Sequence, residues 1–208
     1  MGEVFKAVGL LPTSKVIEVD RSQMIGKYMG ETPKLVNALC DRAMGGILFI
    51  DEAYTLYDTE NGNDKYGKEA VETLMKRMED DKGKFVVIAA GYRKEMEAFM
   101  QVNPGLESRF TYKLNIEDYT EHELVEIFCT LVKKKQYRLS ESAEIALVER
   151  VHELYSHKDR NFGNAREMRT LFERTIQQLS IRVSSIPPSL LTENDYQLIE
   201  AEDIRSLS

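Results

Sequence analysis

The sequence predicts an α/β domain built on a parallel sheet, followed by a small helical domain. Ile47-Leu48-Phe49-Ile50 is an unbroken apolar run introduced by Gly45-Gly46, and Phe85-Val86-Val87-Ile88-Ala89-Ala90 is a second. Runs of this length read as strands buried on both faces, the pattern of a parallel sheet covered by helices. Helix-period stretches alternate with such runs up to about Asp118, and only helix-period stretches follow. That order separates an α/β layer from an all-helical one.

The elements follow in order. Val4, Phe5 and Val8 have helical spacing, and Gly9 stops that helix. Val16-Ile17-Glu18-Val19 is rich in β-branched residues and reads as a strand. The glycine-flanked stretch Gly26-Lys27-Tyr28-Met29-Gly30 reads as a loop. Thr32 with Pro33 behind it reads as the start of a helix burying Val36, Leu39, Cys40 and Ala43. Asp58–Lys65 is polar and reads as a loop. Val71, Leu74, Met75 and Met78 then mark a helix ending near Gly83. A short helix is expected over Lys94–Met100, a turn at Asn103-Pro104-Gly105, and a last strand over Tyr112–Ile116. Beyond Asp118, Thr120-Glu121-His122-Glu123 is a capping box and Ser140 a second cap. Val148, Val151 and Tyr155 form the expected buried face of the second helix. Met168, Leu171, Phe172 and Leu179 form that of the third. Pro187-Pro188 ends the compact part, and Glu200–Ile204 is one closing turn.

Composition narrows the function. Of 208 residues, 42% are apolar and 30% charged, as in an ordinary globular protein, and the apolar runs are too short to span a bilayer. No signal-peptide pattern opens the chain, and Cys40 and Cys129 have no CxxC spacing, so a reducing cytoplasmic setting is expected. The net charge of −7 argues against a nucleic-acid binder, which carries a basic face. His122, His152 and His157 have no metal-ligand spacing.

The chemistry concentrates at Asp51-Glu52. Ligands of parallel sheets gather at the carboxyl ends of the strands, and these two acids stand where the Ile47–Ile50 strand ends. An Asp there can hold Mg²⁺ through its waters, and the next Glu can polarise an attacking water in phosphoanhydride hydrolysis. This is a Walker B-like pattern. A pair of solvated turn acids is the plain alternative, and the apolar run feeding directly into the acids disfavours it.

With those residues in view, the sequence resembles the AAA+ ATPases, and within them the CbbX/SpoVK-like group. The resemblance rests on Glu18-Val19-Asp20-Arg21-Ser22, Gly26–Thr32, Leu48-Phe49-Ile50-Asp51-Glu52-Ala53-Tyr54 and Ala90-Gly91-Tyr92. It continues in Asn103-Pro104-Gly105-Leu106-Glu107-Ser108-Arg109-Phe110 and Phe162-Gly163-Asn164-Ala165-Arg166. It implies an AAA+ α/β domain over residues 1–117 and a helical lid with a C-terminal tail over 118–208. It implies ATP and Mg²⁺ as cofactors, with Asp51 at the metal and Glu52 at the water. Arg109 is similar to the arginine finger that reaches a neighbouring subunit's γ-phosphate. Arg166 is similar to sensor 2, which touches the nucleotide in cis. Tyr28 and Met29 are similar to the pore loop that grips a polypeptide. The implied assembly is a homo-oligomeric ring, a hexamer, that remodels a protein client, with neither nucleic acid nor membrane as partner.

Two departures stand out. The phosphate cradle G-x-x-x-x-G-K-S/T is absent, so the main electrostatic support for phosphate is missing from these residues. Gly62–Lys68 imitates it but is followed by Glu69 and preceded by no strand. The cradle's strand belongs between the Phe85–Ala90 and Tyr112–Ile116 strands, and its loss leaves unpaired edges. The expectation is therefore an N-terminally truncated AAA+ domain that binds nucleotide poorly by itself. A non-catalytic scaffold or binding module is the alternative. Tyr92 occupies the place of sensor 1, where many relatives carry Asn, so no sensor 1 residue is assigned.

Overall fold

The computed structural model describes residues 1–57, 64–159, 162–192 and 194–206. It divides into two compact units, Met1–Asn115 and Ile116–Ser208.

The first unit opens with α1 (Gly2–Ala7), after which Gly9 turns the chain at φ 75°. Strand β1 (Val16–Val19) follows. Asp20 then caps the short α2 (Arg21–Met24) in a two-way capping box with Gln23. Next come α3 (Glu31–Ala43), β2 (Ile47–Ile50), a 3₁₀ turn (Ala53–Leu56), α4 (Lys65–Asp80) and β3 (Val86–Ala89). Helices α5 (Arg93–Val102) and α6 (Pro104–Arg109) complete it. The three strands are parallel in the order β1-β2-β3. Their register aligns Val19 with Ile50 and Ile50 with Ala89, so the three carboxyl ends are level. Ile47, Leu48 and Ile50 are buried, as the unbroken apolar run requires of a central strand.

Helices α3 and α4 are tied by Arg77. Its Nη2 donates to Asp41 Oδ1 at 2.7 Å, its Nη1 to the Asn37 carbonyl at 3.2 Å, and its Nε to Asp81 Oδ2 at 2.7 Å. Met24, Val36, Cys40, Leu48, Leu56 and Leu74 are among the residues that fill the core beside the sheet.

Three local expectations are corrected here. Thr32 does not cap α3, which begins at Glu31 after Gly30 in the left-handed region (φ 79°). The Thr32 hydroxyl instead accepts from the Gly26 N–H at 3.1 Å, closing the glycine-flanked loop from behind. Asn103-Pro104-Gly105 is not a free turn but the start of α6, with Asn103 Oδ1 accepting from the Gly105 N–H at 2.8 Å. No strand forms over Tyr112–Ile116, whose Tyr112, Leu114 and Ile116 are 90%, 80% and 89% exposed. A strand persists only beside a neighbour that pairs its N–H and C=O groups. Among the described residues β3 has no partner on its side away from β2. Of the polar loop expected over Asp58–Lys65, residues 58–63 lie outside the described residues, as do Gly62 and Asn63 of the cradle look-alike. Its remaining part is the capped start of α4, with Asp64 Oδ1 accepting from the Gly67 N–H at 2.8 Å.

The second unit is built on α7 (Glu121–Lys134), α8 (Glu141–Ser156) and α9 (Ala165–Ser184). Thr120 and Glu123 form the capping box of α7, and the Ser140 hydroxyl caps α8. Phe128 meets Phe172 edge-on at 5.8 Å, and Leu124, Leu147, Met168 and Ile204 are fully buried around them. The buried stripe of α8 is Ala143, Ala146, Leu147 and Val151, whereas Val148 is exposed. The unit is not purely helical. Between α7 and α8, β4 (Arg138–Leu139) pairs in parallel with β5 (Leu198–Ile199), which leads into α10 (Ala201–Arg205). Asp203 on α10 is 1% exposed and meets Arg182 of α9 through two bonds of 2.9 Å. Among the described residues no helix is long and apolar enough to cross a membrane.

Candidate functional site

Asp51 and Glu52 leave the central strand where its two neighbours end. The Asp51 N–H donates to the Val19 carbonyl of β1 at 2.9 Å, and the Ala90 N–H donates to Ile50 at 2.9 Å. The chain then hooks back, with the Ala53 N–H donating to the Ala90 carbonyl at 2.9 Å. These bonds clamp the acidic pair at the middle of the sheet's carboxyl edge, the position where parallel sheets bind ligands. Both side chains are exposed. Glu52 adopts φ 47°, ψ 46°, a left-handed conformation costly for a residue with a Cβ. Its carbonyl is held by the Thr55 N–H at 2.8 Å and the Thr55 hydroxyl at 2.7 Å. Its N–H donates to Asp51 Oδ1 at 3.0 Å.

The ring of Tyr54 lies beside the pair. Burial first, and then the Glu52 carboxylate, push the Tyr54 hydroxyl above the ordinary tyrosine range. Tyr54 and Tyr92 are in tilted contact with ring centroids 6.3 Å apart. Gly91 permits this, because a Cβ there would fall 2.7 Å from the Tyr54 ring. Tyr92, three residues past β3, thus contributes an aromatic face against Tyr54.

Arg21, within the Glu18–Ser22 motif, holds the segment that follows Glu52. Its Nη1 donates to the Thr55 carbonyl, and its Nη2 pairs with Asp64 at 2.8 Å. One guanidinium at the end of β1 therefore holds both sides of the segment that follows Glu52. Nothing in the local sequence signals a contact of that range.

The Tyr28 loop is tight at its base and open at its tip. Glu31 Oε2 accepts from the Lys27 and Tyr28 N–H groups at 3.0 and 3.1 Å. Tyr28 and Met29 project with 71% and 92% exposure.

Arg109 is bound within its own unit. Its Nε donates to the Met75 carbonyl at 3.1 Å, its Nη1 to the Gly105 carbonyl at 3.1 Å, and its Nη2 pairs with Glu79 at 3.2 Å. In the second unit Arg166 is exposed in the first turn of α9. Its guanidinium makes no hydrogen bond or ion pair among the described residues.

Among the described residues no three His, Cys, Asp or Glu side chains gather as a metal cage. Mg²⁺ does not need one, since it keeps several waters and takes one or two carboxylates together with phosphate oxygens. The exposed Asp51 carboxylate fits that mode.

Residues 3–118 match the family described as "ATPase family associated with various cellular activities (AAA)", and residues 120–207 match the AAA lid domain. Protein CfxQ homolog of Galdieria sulphuraria is 38% identical over 204 residues, covering 98% of this chain and 66% of that protein. Stage V sporulation protein K of Bacillus subtilis (strain 168) is 34% identical over 205 residues, covering 98% of this chain and 62% of that protein. The chain thus spans about two thirds of the length of these relatives. The AAA domain of FIGL-1 superposes with a TM-score of 0.60 at 18% identity, covering 91% of this chain and 59% of that one, a likeness of fold.

Proposed function

The chain belongs to the AAA ATPase family, in the group of the CfxQ homologues and stage V sporulation protein K, and on that premise we propose that it is the working part of a Mg²⁺-dependent ATPase. The ATPase assembles as a cytoplasmic homo-oligomeric ring, a hexamer, and remodels a protein client. The observation that carries the reading is the level carboxyl edge of β1, β2 and β3 with Asp51 and Glu52 clamped at its centre.

Asp51 would hold Mg²⁺ through water, and Glu52, kept out of the strand by its left-handed turn, would accept a proton from the attacking water. When bound, Mg²⁺ supplies charge neutralisation for the phosphate oxygens. Arg166 is free to meet a phosphate in cis. Arg109 completes a neighbour's site once it leaves Glu79. Tyr28 and Met29 offer an apolar, exposed grip to an extended polypeptide. The relatives' printed names differ too much to select a client.

The test is ATP turnover in the longest natural form, with and without Glu52→Gln. Turnover that disappears in the variant while nucleotide binding survives supports the motor. Absence of turnover in the parent transfers the protein to the second reading, a non-catalytic scaffold.

A further inference from the structure

Asn164 holds a strained backbone for a residue with a Cβ. Its φ of 48° and ψ of −121° lie outside the small left-handed basin that Asn tolerates, in territory that glycine occupies. Gly163 stands next to it, so the sequence has a glycine within one residue of the position that asks for one. A strained residue of this kind persists when its side chain is needed there.

The side chain is fully used. Asn164 Nδ2 donates to Asp118 Oδ1 at 2.9 Å, and its Oδ1 accepts from the Tyr119 N–H at 3.2 Å. Nδ2 also reaches the Phe162 carbonyl at 3.5 Å. Asp118 and Tyr119 form the stretch that enters the second unit just before the Thr120 cap of α7. On its other side, the Asn164 carbonyl accepts the Met168 N–H at 3.3 Å in the first turn of α9. The Arg166 N–H, one residue inside that turn, donates to Gly163 at 2.8 Å. One amide thus joins the head of α9 to the stretch that enters its unit. A glycine would relieve the backbone and lose both bonds. An alanine would keep the strain and lose them too.

We propose that Asn164 is a positioning residue: its amide clamps the Asp118–Tyr119 stretch to the head of α9 and so fixes the first turn that carries Arg166. The consequence for nucleotide rests on the reading of Arg166 given above. The clamp itself does not.

Amide hydrogen exchange on this chain decides the clamp. Asn164→Ala should speed exchange at the Tyr119 N–H about tenfold, the loss expected for one hydrogen bond with a charged neighbour. Asn164→Asp keeps an acceptor for the Tyr119 N–H but sets two carboxylates against each other at the Asp118 contact, and should speed exchange by less than Asn164→Ala yet clearly above the parent. Adding Asp118→Asn to Asn164→Asp restores a donor facing an acceptor and should bring exchange back to within about twofold of the parent. An unchanged Tyr119 rate in Asn164→Ala, or a double variant no better than Asn164→Asp alone, overturns the proposal. A simple loss of stability would not be rescued by the exchange of partners. In the longest natural form, Asn164→Ala should raise KM for ATP in the same direction as Arg166→Ala, with a smaller effect on kcat. If Arg166→Ala leaves KM unchanged, the phosphate role of Arg166 falls and the exchange data still judge the clamp. If Arg166→Ala raises KM and Asn164→Ala does not, the control of Arg166 by Asn164 is overturned.

Discussion

Arg109 Nη2 lies 3.2 Å from Glu79 Oε2, while Arg109 Nε and Nη1 donate to the carbonyls of Met75 and Gly105. The guanidinium proposed to reach another subunit is stowed between its own helix and α4. Glu79 is mostly exposed, and pairs of that kind contribute less than about 1 kcal/mol. A phosphate therefore outcompetes it without difficulty. Glu79→Ala should shift stability by no more than about 0.5 kcal/mol in a urea titration and leave ATP turnover intact. Arg109→Ala should lower turnover of the longest natural form by about a thousandfold, the effect of a finger lost. A loss smaller than tenfold would remove Arg109 from the proposed site.

Cys40 is fully buried on α3, and desolvation pushes its thiol from 9.0 up to about 11. A folded pKa above the unfolded one means that stability is complete below pH 9 and is lost as pH rises from 9 through 11. The loss amounts to about 2–3 kcal/mol. Cys40→Ser or Cys40→Ala should flatten that alkaline limb in urea titrations. In the native parent at pH 8, Cys129, which is only partly buried, should react with an aromatic disulfide well before Cys40.

Asp203 and Arg182 meet fork to fork at 2.9 Å in both bonds, and Asp203 also accepts the Glu200 N–H at 2.9 Å. With Asp203 1% exposed, Asp203→Ala leaves the guanidinium only Glu202 at 3.5 Å and the Leu198 carbonyl at 2.8 Å, and should cost about 3 kcal/mol in chemical unfolding. Arg182→Lys should recover less than half of the difference between parent and Arg182→Ala, because an ammonium cannot make two parallel bonds to one carboxylate.

Asn164 sets strain against bonding. Asn164→Gly and Asn164→Ala lose the same amide, yet only glycine suits φ 48°, ψ −121°. The glycine variant should be more stable than the alanine variant by about 1–2 kcal/mol, read as the difference in urea midpoints at equal slope.

Much of this architecture is legible in the sequence. The runs that became β2 and β3 needed only continuity and flanking glycines. The caps at Thr120 and Ser140 needed only residue type and spacing, because capping is local chemistry. Asp51-Glu52 was legible for the same reason, since an acid after a buried strand is visible within a few residues. What stayed hidden depends on distance along the chain or on backbone angle. Two residues cannot show a period, so Arg138-Leu139 and Leu198-Ile199 gave no sign of their pairing. The grip of Arg21 on Thr55 and Asp64, and that of Glu79 on Arg109, join residues that folding alone brings together. Tyr112–Ile116 alternates as a strand should, but alternation describes a willingness to pair, and pairing also takes a neighbour.

The left-handed turn at Glu52 has a further effect on how this position can change. Glycine there would relax the backbone by about 1 kcal/mol and delete the carboxylate in the same step. Selection for heat resistance alone should drift toward glycine or asparagine at residue 52 and yield durable, silent proteins. A chain that keeps the acid accepts a slightly weaker fold in return for the carboxylate at its proposed post.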